Sequence, residues 1–112
     1  MQGIRLHSRD GIDAMVLEEF DLPAPGTGEA QIAVHAAGVN FGDTLMVTGQ
    51  YQEKPDLPFS PGMEAAGEVI ALGAGVDNVS VGDRVMGSIG YGGFAEAANV
   101  PAAHQTPVPD DM

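Results

Sequence analysis

Glycine and proline interrupt the chain so often that no stretch between them can hold a convincing amphipathic helix: 16 glycines and 8 prolines are spread over 112 residues. Proline lacks an amide donor and fixes φ, and glycine in a helix interior costs about 1 kcal/mol relative to alanine. The segments left over are short and apolar, with turn residues at their ends, which predicts a mainly β protein. Strands are expected at 4–8 ("IRLHS"), 14–22 ("AMVLEEFDL"), 30–39 ("AQIAVHAAGV"), 64–72 ("EAAGEVIAL"), 83–89 ("DRVMGSI") and 92–102 ("GGFAEAANVPA"). The third alternates well, with Ile32, Val34 and Ala36 on one side and Gln31, Ala33 and His35 on the other. About six strands at short spacing point to a small closed or partly open barrel.

Two segments break this pattern. "DTLMVT", at 43–48, is expected to form one or two helical turns, with Asp43 as N-cap and Gly49 as the stop. "QEKPDLPFSPG" comes next, and its prolines at 55, 58 and 61 exclude an interior strand, so it reads as a loop held against the surface. At the C-terminus, Asp110 and Asp111 come after two prolines as a helix start would, yet no helix can form beyond them, which suggests a truncated chain.

The length suits one domain, and no apolar run approaches the roughly 18 residues needed to span a bilayer. Charges inside the first residues argue against a secretion or import signal, so a cytoplasmic protein is expected. Cysteine is absent, which excludes disulfides, thiolate metal clusters and cysteine nucleophiles. Four basic against 16 acidic side chains give a net charge of −12, and such a surface repels nucleic acid.

Several residues carry both a chemical and a structural reading. Asn40 comes after a predicted strand and can donate to and accept from a ligand, or close an Asx-turn on its own backbone. Asp43 either caps a helix or orients a neighbour. Tyr51 enters the proline loop, where its phenol serves a pocket as donor or anchors the loop. Glu64 lies among small residues in "GMEAAGE" and is expected to be a buried structural partner rather than a general acid. The histidines His7, His35 and His104 lack metal-ligand spacing, and no metal site is expected. "GYGGFA" from Gly90 to Ala95 fits a loose dinucleotide fingerprint, but "AEAANVPA" at its end reads as a strand, so Gly92 and Gly93 are assigned to a turn or a close backbone approach.

Together, "AAGVNFGD", "GQY", "LPFSPGMEAAGEV", "ALGAGV", "VGDRVMG" and "GGFAEAANVPA" resemble the N-terminal half of a medium-chain dehydrogenase/reductase of the zinc-independent quinone oxidoreductase branch. The resemblance covers about residues 3–109 and implies a GroES-like, partly open β-barrel over 1–112, packed in the complete enzyme against a Rossmann domain that binds NADPH. Where similar zinc alcohol dehydrogenases carry cysteine and histidine, this chain has Asn40 and Met63, so the resemblance implies no catalytic metal. It further implies that Asn40 contacts nicotinamide or the substrate carbonyl, that Asp43 holds the loop on the cofactor side, that Tyr51 donates to a quinone oxygen, and that Met63 and Glu64 support the site. The expected reaction is hydride transfer from NADPH to a quinone, or in an enoyl or 2-alkenal reductase to an activated alkene. A non-catalytic binding barrel is the alternative from another class. The isolated chain is expected to be inactive, without saturable NADPH binding, and monomeric or weakly associated, the complete enzyme being a homodimer.

Overall fold

The computed structural model describes residues 1–112. In chain order the elements are β1 (Gln2–Leu6), a 3-10 turn (Ile12–Ala14), β2 (Met15–Glu19), β3 (Glu29–Ala37), α1 (Phe41–Val47), β4 (Glu64–Leu72), β5 (Arg84–Ser88), β6 (Ala97–Pro101), a second 3-10 turn (Ala102–His104) and β7 (Gln105–Pro107). Five strands form one antiparallel sheet in the order β6-β3-β4-β5-β7, while β1 and β2 form a separate antiparallel pair. The pair is fastened to the larger sheet rather than merged with it. Gly3 bridges Ala95, Leu6 bridges Phe59, and the Ile4 N–H donates to the Phe94 carbonyl at 2.7 Å. The result is a partly open barrel.

Alternation along the strands builds the core. Ala30 and Ile32 of β3, Ala65 and Val69 of β4, Val85 of β5, and Ala98 and Val100 of β6 all turn inward, and Val79, Ile89 and Ala102 close over them. Each fully buried valine or isoleucine contributes about 1.5–3 kcal/mol relative to an exposed position. A second cluster joins the three parts that the sheet alone would leave separate: Leu6 from the hairpin, Met46 and Val47 from α1, and Phe59 from the proline loop. That loop is therefore more deeply set than a surface crossing, with Pro55, Phe59, Ser60 and Pro61 buried.

The 64–72 strand forms over the expected residues, because period-2 burial and flanking turn residues agree there. Elsewhere the boundaries move. The last predicted strand contracts from 92–102 to β6, since Gly90 and Gly92 take φ of +83° and +107° in a loop. No helix succeeds "GYGGFA", so the geometry of a dinucleotide fingerprint is missing and Gly93 instead passes close to Gly62, as the sequence suggested. A seventh strand, β7, forms just before the residues read as a helix start. It lies at the sheet edge, where Pro107 can pair with Val85 without needing two ladder partners.

Candidate functional site

The candidate residues are grouped by the turn that leads from β3 into α1. The N-cap of helix α1 lies three residues before the Asp43 expected for it: Asn40, with extended φ of −123° and ψ of 157°, takes that place. Asp43 occupies the third helical position instead: its Oδ2 accepts the Asn40 N–H at 2.8 Å, while its own N–H donates to the Asn40 carbonyl at 3.0 Å. Both residue types cap well, and the carboxylate three residues on belongs to a capping box, which is why the start is displaced. Asp43, Met46 and Val47 share the buried face of the helix. Asp43 is only 5% exposed, and its Oδ1 is shut from solvent with no hydrogen-bond partner.

Asn40 itself is exposed, between Val39 and Phe41, which are 80% and 78% exposed. Two large apolar side chains so fully displayed beside one carboxamide make residues 39–41 the most prominent apolar projection near the site. Behind it lies Gly42. A Cβ built there would stand 2.7 Å from Met63 Sδ and 3.2 Å from the Tyr51 ring, so the absent side chain is what lets Met63 and Tyr51 close against the helix. Both are partly buried and pack on the Leu6, Met46, Val47 and Phe59 cluster.

Glu64 departs from the expectation of a buried partner. It is exposed, the first residue of β4, and alternates with buried Ala65. Small neighbours on an outward face leave a side chain open to water rather than covering it. Its carboxylate fills the space above Gly38, where a Cβ would overlap it, and faces an open hollow of about 520 Å³ lined also by Ala36, Ala66, Met86 and Ser88. Thus Glu64 flanks the 38–42 turn on one side and Met63 with Tyr51 on the other. Gly38 and Gly42 were not singled out from sequence, because only the tertiary neighbours give them a role.

Zinc does not fit these residues. Its sites are built from thiolate, imidazole and carboxylate, whereas Asn40 offers a carboxamide and Met63 a thioether packed on an apolar cluster. His7 pairs with Glu18 at 2.6 Å on the hairpin, far in sequence from both, and no three histidine or acidic side chains are placed to share an ion. The phosphates of a dinucleotide have no cluster of cations either. Arg5 lies 4.3 Å above the Phe20 ring, Arg9 donates to the Pro55 carbonyl at 2.8 Å, and Arg84 donates to the Met112 carbonyl at 2.5 Å.

The family model of the alcohol dehydrogenase GroES-like domain matches residues 26–110. The chain belongs to this family. Its GroES-like domain is 42% identical over 103 residues to the quinone oxidoreductase-like protein 2 homolog of Nematostella vectensis, covering 91% of this chain and 28% of that protein. It is 36% identical over all 112 residues to the mouse synaptic vesicle membrane protein VAT-1 homolog-like, covering 27% of it. Among solved structures, Escherichia coli quinone oxidoreductase complexed with NADPH superimposes with a TM-score of 0.91 at 32% identity, covering all of this chain and 34% of that one. The GroES-like domain therefore spans less than a third of the curated relatives it matches. No helix in it is long and apolar enough to cross a membrane.

Proposed function

We propose that this GroES-like domain is the substrate-lining part of an NADPH-dependent quinone oxidoreductase that works without a metal. The observation that supports the reading is the approach of Met63 and Tyr51 to Gly42, two residues along the chain from Asn40. In this reading the residues around the turn act as hydrogen-bond donors rather than as metal ligands. Hydride addition to a simple ketone creates a localised alkoxide, for which a Lewis acid is worth several kcal/mol. A quinone spreads the same charge over a conjugated ring, and aimed donors suffice for it.

In this reading the Asn40 carboxamide donates to the nicotinamide amide or the acceptor carbonyl, and the Tyr51 hydroxyl donates to the oxygen that gains charge. Asp43 acts one step back: by accepting the Asn40 N–H it fixes the backbone from which the carboxamide projects. Glu64 orients groups from the outer side of the turn, and Met63 supplies an apolar wall. NADPH supplies the hydride when it is bound, and its phosphates are held by the remainder of the longer protein, in which 1–112 forms the GroES-like domain of a cytoplasmic homodimer. The isolated domain is a monomer or weakly associated.

The test is direct. The full-length protein is assayed for NADPH oxidation with a benzoquinone, a 2-alkenal and a simple ketone. Turnover of the quinone above the alkenal, with none of the ketone, is expected. Preference for the alkenal would reassign the domain to an alkenal reductase, and no turnover of any acceptor would remove the enzymatic reading.

A further inference from the structure

We propose that Arg9 is a positioning residue that sets the Tyr51 ring by clasping the turn on which the tyrosine stands. The chain leaves α1 through Gly49 and runs to Pro55 with Tyr51 between them, and Arg9 touches both ends. Its aliphatic stem lies over Gly49, whose φ is +76°; a Cβ built there would come within 3.1 Å of Arg9 Cδ. Its guanidinium reaches Pro55, where Nη2 donates to the carbonyl at 2.8 Å. Inside this span the Gln50 and Tyr51 N–H groups both donate to the Leu45 carbonyl, at 2.9 and 3.2 Å. The segment carrying Arg9 is itself fixed to the end of the helix, because the Gly11 N–H donates to the Val47 carbonyl at 3.1 Å.

Two features separate this arrangement from an ordinary surface arginine. Arg9 makes no ion pair, although the chain carries 16 acidic side chains and a solvent-exposed guanidinium would find one readily. Its Nε is shut from solvent without an acceptor in a side chain that is half-buried overall, so packing on Gly49 and the bond to the Pro55 carbonyl outweigh the hydration of that one N–H. The loop residues from Gln52 to Asp56 have no backbone ladder of their own, so the clasp is the main restraint on the far side of Tyr51. Releasing it frees the turn and, with it, the contact of the Tyr51 ring with Gly42 and Met63.

The chain has two tyrosines and no tryptophan, so in a Tyr91→Phe background the emission reports on Tyr51 alone. Arg9→Met keeps the stem and removes the guanidinium. Acrylamide quenching of Tyr51 is expected to rise about two- to threefold and amide exchange at Gln50 and Tyr51 to quicken about tenfold, with exchange at Val69 in the sheet unchanged. Arg9→Lys, which keeps one donor, is expected to restore part of both readings. Unchanged quenching and exchange in Arg9→Met would overturn the proposal, as would an equal quickening at Val69. If Arg9→Met does not fold, Arg9→Lys decides: a smaller rise at the same sites supports the clasp, and none overturns it. The consequence for the acceptor rests on the reductase reading above. In the full-length enzyme Arg9→Met is expected to raise KM for the quinone several-fold and leave KM for NADPH in place; an active enzyme whose quinone KM ignores the change contradicts it. A full-length protein with no reductase activity would defeat the reductase reading, while the quenching and exchange results would still decide the clasp.

Discussion

Replacing Gly62 with alanine should cost the domain about 3–4 kcal/mol of stability. The residue adopts φ of +110°, and its carbonyl accepts the Gly93 N–H at 3.1 Å while the Pro61 carbonyl accepts the Phe94 N–H at 3.0 Å. A Cβ at 62 would stand 2.8 Å from Gly93 Cα, Gly93 N and Phe94 N. All three are backbone atoms and cannot rotate away. Forcing a left-handed conformation on an L-residue costs about 1–2 kcal/mol, and displacing the facing segment weakens two hydrogen bonds worth about 1 kcal/mol each. The sum is about 3–4 kcal/mol, against the roughly 5–15 kcal/mol typical of a single domain. Urea unfolding monitored by circular dichroism reads it: with a slope of about 1.5 kcal/mol/M, the midpoint should fall by about 2–2.7 M. Gly75→Ala is the control, because φ is +78° there but a Cβ would have no atom within 4 Å, so only the conformational cost of about 1–2 kcal/mol applies. Equal losses in the two variants, or a loss below about 1 kcal/mol at Gly62, would refute the close-approach argument.

Other consequences concern the candidate site. Tyr51→Phe keeps the ring that packs beside Met63 and removes only the donor, so kcat/KM for a quinone in the full-length enzyme should drop about 10²-fold with the melting temperature unchanged; a drop under about threefold would remove the hydroxyl from the mechanism. Asp43→Ala breaks the capping box and should cost about 1–2 kcal/mol by calorimetry. Asp43→Asn retains an acceptor for the Asn40 N–H and puts an amide where Oδ1 lacks a partner, so it should cost less than Asp43→Ala; the reverse order would contradict the assigned hydrogen bond.

The sheet was legible in sequence wherever alternation and turn residues coincided, most completely at β4, where every second residue from Ala65 to Val69 is buried between glycine and proline punctuation. It was less legible where two signals compete. Asn40 and Asp43 are both strong cap residues, and only the backbone geometry separates N-cap from capping-box partner. At Glu64 small neighbours are compatible with either a buried pocket or an open outer face; the strand's register, which a single carboxylate does not announce, chooses the second. The prolines before Asp110 concealed β7, since an edge strand tolerates the residue that an interior strand rejects. What sequence could not supply was proximity: Gly42 against Met63 and Tyr51, and Arg9 across Gly49 and Pro55, are contacts between segments that nothing in local pattern connects.

Metal-free hydride transfer is tested most directly by metal content read together with turnover. The full-length protein, purified with zinc supplied and then dialysed against a strong chelator, is analysed for zinc by mass spectrometry and assayed with NADPH and a quinone before and after dialysis. Far less than one zinc per chain throughout and an unchanged quinone rate are expected. One tightly held zinc per chain, with quinone reduction lost on its removal and restored on its return, would contradict a donor-only site at Asn40 and Tyr51.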